Sequence, residues 1–257
     1  MSKTYKWSKF SFPNDKGLDL AALLYTGPAQ ERIVIVCHGF TGSKEGGGKA
    51  LAMAEELGKR GNSTFLFDFG GCGESTGSFA DISLSGHVGD LKSAVDYCCD
   101  LGFKIIITVG RSFGGTTVLC HAGIDKRVAG VSCWSAPAEP YQLFSRRTPN
   151  KPAAKNDLVP LSGEGGTVLV KSNFFVDLKG HNVIHNAALI PPRPLLVVHG
   201  EKDDVVPPAN AENIYQAAGE PKSIKIIANA DHQFTGHYQK VWQVFFHWLE
   251  MNFPQNS

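Results

Sequence analysis

Short runs of apolar, largely β-branched residues recur along the chain without the in-and-out alternation of a half-exposed strand. They are RIVIVC at Arg32–Cys37, STFLF at Ser63–Phe67, IIITV at 105–109, VAGVSC at 128–133, PLLVV at 194–198 and SIKII at 223–227. A strand that is apolar on both faces is covered on both faces, which is the signature of a parallel sheet. Helical patterns at 48–60, 83–101, 113–122, 209–218 and 236–252 fall between these runs. The alternation predicts an α/β fold: a mostly parallel central sheet with helices on both faces. Right-handed crossovers then align the carboxyl ends of the strands along one edge, where ligands bind in such sheets. Two extended segments, 5–12 and 18–25, flank a turn-rich stretch at 13–17 and read as an antiparallel start.

The rhythm breaks once. Between Pro137 and Asn186 no buried strand occurs, although a hairpin-like piece spans 161–170 with Gly163, Gly165 and Gly166 near its turn. A structureless loop of that length is improbable inside a compact domain. The expectation is a core built from 1–136 and 187–257, with 137–186 as a small inserted cap.

At 257 residues the chain can bury a large core without disulfides or a structural metal. A net charge of +1 gives no electrostatic reason to expect nucleic acid or an anionic membrane as partner. Six cysteines occur with neither CxxC nor zinc-finger spacing, so they read as reduced, mostly structural thiols in a reducing compartment. The basic pair Arg146–Arg147 reads as solvated surface. The N-terminus lacks the apolar core of a signal peptide, and no run approaches the roughly 18 apolar residues of a membrane span. The chain therefore reads as cytoplasmic. No HExxH-type cluster is present, and neither metal nor cofactor is implied.

The strongest chemical signal is Gly110-Arg111-Ser112-Phe113-Gly114, set between the IIITV strand and a helix. This is the G-x-S-x-G elbow in its required context: a serine on a tight strand-to-helix turn, its hydroxyl raised above the sheet. Such a hydroxyl attacks only when a base takes its proton. His232 follows the last strand run and precedes the last helix, which puts it at the carboxyl edge; His237 is the runner-up. The base needs a carboxylate to fix its tautomer. Asp203, after PLLVV, is preferred to its neighbour Asp204, which can equally face solvent. His199 reads as a support for the turn after that strand. Two backbone amides should stabilise the oxyanion: Phe113, next to the nucleophile, and Phe40, in the His38-Gly39-Phe40 exit from the first buried strand. Tyr141, Phe144, Phe174 and Phe175 are candidate walls of a substrate pocket under the cap, or alternatively the residues that pack the cap onto the sheet.

HGF, GRSFG, HGEKDDVVP and DHQF, in the order Ser, Asp, His, together resemble the α/β-hydrolase superfamily over about 32–253. The segment Asp68-Phe69-Gly70-Gly71-Cys72-Gly73-Glu74-Ser75 resembles that superfamily's D-x-R-G-x-G-x-S loop, with Gly70 where arginine is usual. The small cap is similar to that of cinnamoyl or feruloyl esterases and related carboxylesterases. The resemblance implies a serine esterase acting on a small-molecule ester, of cinnamoyl or short-chain acyl type. A peptidase or amidase with the same triad is the alternative, and a non-catalytic binding protein on the same fold is a second. Cap surfaces and sheet edges both offer routes to a homodimer.

Overall fold

The computed structural model describes residues 5–27, 31–148, 157–163 and 166–254. In chain order, the first half comprises β1 (Lys6–Pro13), β2 (Asp19–Thr26), β3 (Arg32–Cys37), α1 (Lys49–Lys59), β4 (Ser63–Phe67), α2 (Leu84–Asp100), β5 (Ile105–Arg111), α3 (Phe113–Ile124) and β6 (Val128–Trp134). The second half comprises α4 (Pro140–Ser145), β7 (Leu158–Gly163), β8 (Gly166–Lys171), α5 (Asn173–Lys179), α6 (Val183–Ala188), β9 (Leu195–Gly200), α7 (Ala209–Ala217), β10 (Lys222–Ile227) and α8 (Tyr238–Asn252). The main sheet runs β1-β2-β4-β3-β5-β6-β9-β10. β1 and β2 pair antiparallel, β2 meets β4 antiparallel, and every later pair is parallel. Each buried strand lies within two residues of its apolar run.

The inner parallel strands are apolar on both faces because each face has its own core. β10, at the sheet's edge, departs from the expectation for its run: Ser223, Lys225 and Ile226 are exposed, because among the described residues no strand pairs along its outer side. Ile33, Ile35 and Cys37 of β3 join one cluster with α2, α3 and α7, while Val34 joins another with α1 and α8. In β9, Leu195 and Val197 face the first cluster, and Leu196 and Val198 the second. Burying each such side chain contributes roughly 1.5–3 kcal/mol, so a strand stripped of either helical layer would lose half of its stabilisation.

Between β6 and β9 the chain forms β7 and β8, an antiparallel pair separate from the main sheet, and three short helices. Gly165, expected at the hairpin turn, lies outside the described residues, as do 149–156. Val159, Leu161, Val170, Phe174 and Phe175 belong to the same apolar cluster as α2 and α3. The insertion therefore shares the core rather than forming one of its own. α6 runs across the boundary expected at 186 and packs on α3 and α7.

Candidate active site

Ser112 sits between β5 and α3 at φ 55° and ψ −122°, a backbone conformation that non-glycine residues rarely adopt. Both flanks hold it there. Its N–H donates to Trp134 O at 2.8 Å, extending the β5–β6 ladder, and its carbonyl accepts Thr116 N–H at 3.0 Å, starting the helix. Gly114 is required by close approach: a Cβ there would lie 2.3 Å from Cys37 O and 2.4 Å from His38 O. α3 can therefore press directly on the exit of β3.

His232 lies in the loop between β10 and α8, and Asp203 in the loop after β9. Backbone bonds tie these two loops together, from Glu201 N–H to Ile227 O at 3.0 Å and from Lys202 N–H to Ala230 O at 2.9 Å. His232 Nε2 is 3.1 Å from Ser112 Oγ, and His232 Nδ1 is 2.8 Å from Asp203 Oδ2. Three side chains remote in sequence thus form one hydrogen-bonded chain. Asp203 is buried, whereas Asp204 is exposed. His237 turns its Nδ1 onto Thr235 O at 2.8 Å, away from Ser112.

The Asp203 carboxylate is surrounded by donors. Oδ1 accepts Val205 N–H at 3.1 Å and Val206 N–H at 2.8 Å. On the other side, His199 Nε2 stands 2.8 Å from Val206 O and 3.1 Å from Asp203 Oδ2. A carbonyl can only accept, so this nitrogen carries its proton and shares it with the carboxylate. Burial pushes the Asp203 carboxyl up, but the bonds from His199 and His232 outweigh it and hold it well below the ordinary carboxylate range. His199 does support its turn, as expected, and its contact with Asp203 is an addition the sequence did not disclose. The only trace in the sequence is its spacing, four residues before the acid at the end of a buried strand.

Phe113 is the first residue of α3, so its amide has no carbonyl partner within the helix. Phe40 lies in the β3 exit loop, whose Gly39 runs beside the nucleophile: a Cβ on it would be in ordinary van der Waals contact with Ser112 Cβ, at 3.5 Å. Two buried groups fix this loop. His38 Nδ1 bonds to Gly39 O at 2.8 Å, and its Nε2 accepts Phe69 N–H at 3.2 Å. Burial holds this imidazole below its ordinary value and so neutral. Lys44 Nζ reaches Asp68 Oδ2 at 2.8 Å, Glu74 Oε2 at 2.5 Å and Glu45 Oε1 at 3.0 Å. Burial lowers this ammonium's pKa, but the three carboxylates outweigh it and hold it above the lysine range. In the loop after β4, which carries Asp68 and Glu74, Gly70 N–H donates to Asp90 Oδ2 at 2.8 Å, and Leu18 occupies the space a side chain at Gly70 would enter.

The aromatic residues of the insertion are not brought to the cleft. Phe144, Phe174 and Phe175 are buried, and the first two pack on the rings of Phe40, at 4.7 and 5.6 Å between centroids, and of Phe113, at 5.5 and 5.9 Å. Tyr141 is partly buried against the same cluster, with Lys179 above its ring. These residues pack the insertion onto the sheet because Phe40 and Phe113 present apolar rings to them. The cleft at Ser112, about 270 Å³, is lined instead by residues that include Arg111, Arg147, Val205 and Gln233. Arg147 was expected on open surface. It stands at this cleft, with its guanidinium 5.7 Å from the Phe144 ring. Arg111 sends a guanidinium N–H to His232 O at 3.4 Å. Among the described residues no cluster of three or more His, Cys, Asp or Glu could hold a metal, and no helix is long and apolar enough to cross a membrane.

A family profile described as alpha/beta hydrolase fold matches residues 32–164. The uncharacterized protein YfhR of Salmonella typhi is 28% identical over 215 residues, covering 82% of this chain and 68% of its own. The human mitochondrial palmitoyl-protein thioesterase ABHD10 is 30% identical over 174 residues, covering 63% of this chain and 54% of its own. Among solved structures, Est1E of Butyrivibrio proteoclasticus with ferulic acid bound superposes with a TM-score of 0.85 at 22% identity, covering 96% of this chain and all of that one. The esterase domain of a Rhodothermus marinus protein superposes at 0.76 with 25% identity, covering 96% of this chain and 98% of its own.

Proposed function

Because the chain belongs to the α/β-hydrolase fold family, we propose that it is a serine hydrolase that cleaves carboxylic esters, thioesters included, through Ser112, His232 and Asp203. The observation that carries this reading is the continuous hydrogen-bonded chain from Ser112 Oγ through His232 to Asp203. Esterase and thioesterase relatives support hydrolase activity, and the thioesterase relative brings thioesters within the proposal.

Asp203 accepts the Nδ1 proton of His232, so Nε2 presents its lone pair to Ser112 Oγ–H. His232 takes the proton as the oxygen attacks the acyl carbon. The amides of Phe40 and Phe113 receive the oxyanion, an interaction worth about 3 kcal/mol for each donor in such sites. The imidazolium then protonates the departing alcohol or thiol, and water releases the acyl group by the reverse proton transfers. A peptidase reading has no observation of its own in its favour. Phe144, Phe174 and Phe175 of the insertion are buried, so a cinnamoyl group would have to find its walls among other residues.

The test is hydrolysis of p-nitrophenyl acetate and an acyl thioester by the native chain and by Ser112→Ala, with fluorophosphonate labelling in parallel. Native turnover and labelling at Ser112, with kcat lowered about 10⁴-fold or more in the variant, is expected. Undiminished turnover by a folded Ser112→Ala protein would refute the assignment.

A further inference from the structure

Beside the cleft at Ser112 lies a second and roomier cavity of about 550 Å³, between α1, α8 and the carboxyl ends of β3 and β5. That volume lies within the ~300–1,000 Å³ typical of small-molecule sites. Its deep walls are apolar: Val36, Met53, Val109, Trp134, Phe234 and Trp242. Among the described residues none of those lining it is acidic, and its basic ones are each engaged by a partner. Lys44 is held by carboxylates, Arg111 bonds to His232 O, and Lys49 bonds to the Tyr238 hydroxyl. That last contact joins the first residues of α1 and α8 across the rim. Gly46, Gly47 and Gly48 follow one another at φ 54°, 63° and 86°, which leaves this edge without side chains.

The cavity and the cleft share a wall made of Gly39, Thr41, Gly42, Arg111 and Gln233. Three of these belong to the oxyanion loop, and the other two are the chain neighbours of Ser112 and His232. Phe234, which forms part of the far wall two residues after His232, holds φ 54° with its ring fully buried. Strain of that kind in a bulky residue persists only where its surroundings enforce it. On the opposite side of Ser112, the rings of Phe40, Phe113, Phe144 and Phe174 fill the space. An extended apolar group attached to the reacting carbonyl therefore finds room on the α1–α8 side.

We propose that this cavity seats an aliphatic chain of the substrate, so that the preferred esters carry a medium or long unbranched hydrocarbon. The proposal rests on Ser112 being the attacking group. The chain can come from the acyl half or the alcohol half of the ester, and two substrate series separate them: p-nitrophenyl acetate, butyrate and octanoate, and the methyl, butyl and octyl esters of acetic acid. Each methylene withdrawn from water is worth up to about fourfold. The expected result is a rise in kcat/KM of at least tenfold from the shortest to the longest member of one series. A flat response in both series would overturn the proposal.

Ala50 lines the cavity from the first turn of α1 and is half-buried. Ala50→Phe should cut the long-to-short ratio of kcat/KM at least fivefold, with Ala50→Leu as a smaller obstruction should the larger one unfold the helix. An unchanged ratio in a folded variant counts against the cavity. Binding is read independently of turnover in Ser112→Ala with a fatty acid brominated at its terminal carbon. Bromine seated beside Trp134 and Trp242 should quench tryptophan fluorescence, and Trp242→Phe should lose part of that quenching. Quenching without ester turnover in the native chain would mean that the serine hydrolase reading fails while the cavity stands. Turnover with neither chain-length gain nor quenching would mean the reverse.

Discussion

At Asp203 one carboxylate accepts N–H groups from Val205, Val206, His232 and His199. Backbone donors fix the position of Oδ1, while Oδ2 is shared between two imidazoles, only one of which reaches Ser112. His199 thus sets where the lone pair left for His232 can point. Replacing it with leucine removes that restraint and strands the Val206 carbonyl, at a cost of about 1–3 kcal/mol in stability. In the proposed reaction kcat/KM should fall about tenfold, equivalent to ~1.4 kcal/mol of lost transition-state positioning. His199→Gln, which retains an N–H, should recover most of the loss. Ester kinetics on the two variants decide this; equal losses in both would show that the ring itself, rather than its N–H, is what matters. The sequence pointed to Ser112, His232 and Asp203 because each sits at a strand end with the right chemistry. It was silent on the contact between His199 and Asp203, since a histidine closing a buried strand looks the same whether it bonds to a turn alone or to a turn and an acid.

The elements most legible in the sequence were those whose burial is written in consecutive residues. β3, β5 and β9 are covered on both faces, so their runs stood out, and α2 and α8 are long enough to repeat their apolar stripe. α4, α5 and α6 are six or seven residues each, under two turns, too short for a period to emerge. The aromatic residues they carry were illegible for a different reason: their partners, Phe40 and Phe113, lie far away in the chain and are joined to them only by the fold. The loop after β3 offers a test at this scale. It is fastened to the loop after β4 by Lys44 and Asp68, both almost wholly buried. Lys44→Met leaves Asp68 as a buried carboxylate without its cation, which should cost about 3–5 kcal/mol. The denaturant midpoint should drop accordingly, and the amide of Phe40 should lose its fixed position, lowering kcat more than it raises KM. A loss of unfolding free energy under about 1 kcal/mol would show that the clamp is dispensable.

Across the whole molecule, acid stability should be set first by histidines and only later by carboxylates. His87 lies in the core on the α2–α3 side, stacked on Phe69 at 3.9 Å, with neither ring nitrogen hydrogen-bonded among the described residues. Burial, reinforced by the nearby His38, holds His87 well below its ordinary value, and burial lowers His38 as well. A histidine lowered by folding takes up its proton in the unfolded chain first. Above about pH 6.5 neither state is charged and stability is flat; below it, unfolding binds protons, and stability falls by up to ~1.4 kcal/mol per pH unit for each such group. Asp203 and Asp125, held below the carboxylate range, contribute stability that is lost only under about pH 4. The two windows are therefore separate. Urea denaturation from pH 8 to 5 should show a plateau and then a decline that begins near 6.5. His87→Leu exchanges an imidazole without a hydrogen-bond partner among the described residues for a side chain of similar volume, so its unfolding free energy near pH 8 should stay within about 1.5 kcal/mol of the parent. Its decline should be shallower by one proton, which makes the variant the more stable of the two at pH 5. Parallel declines would mean that His87 gains a partner for its proton in the folded chain, and that this core accommodates a charge its packing gives no means to offset.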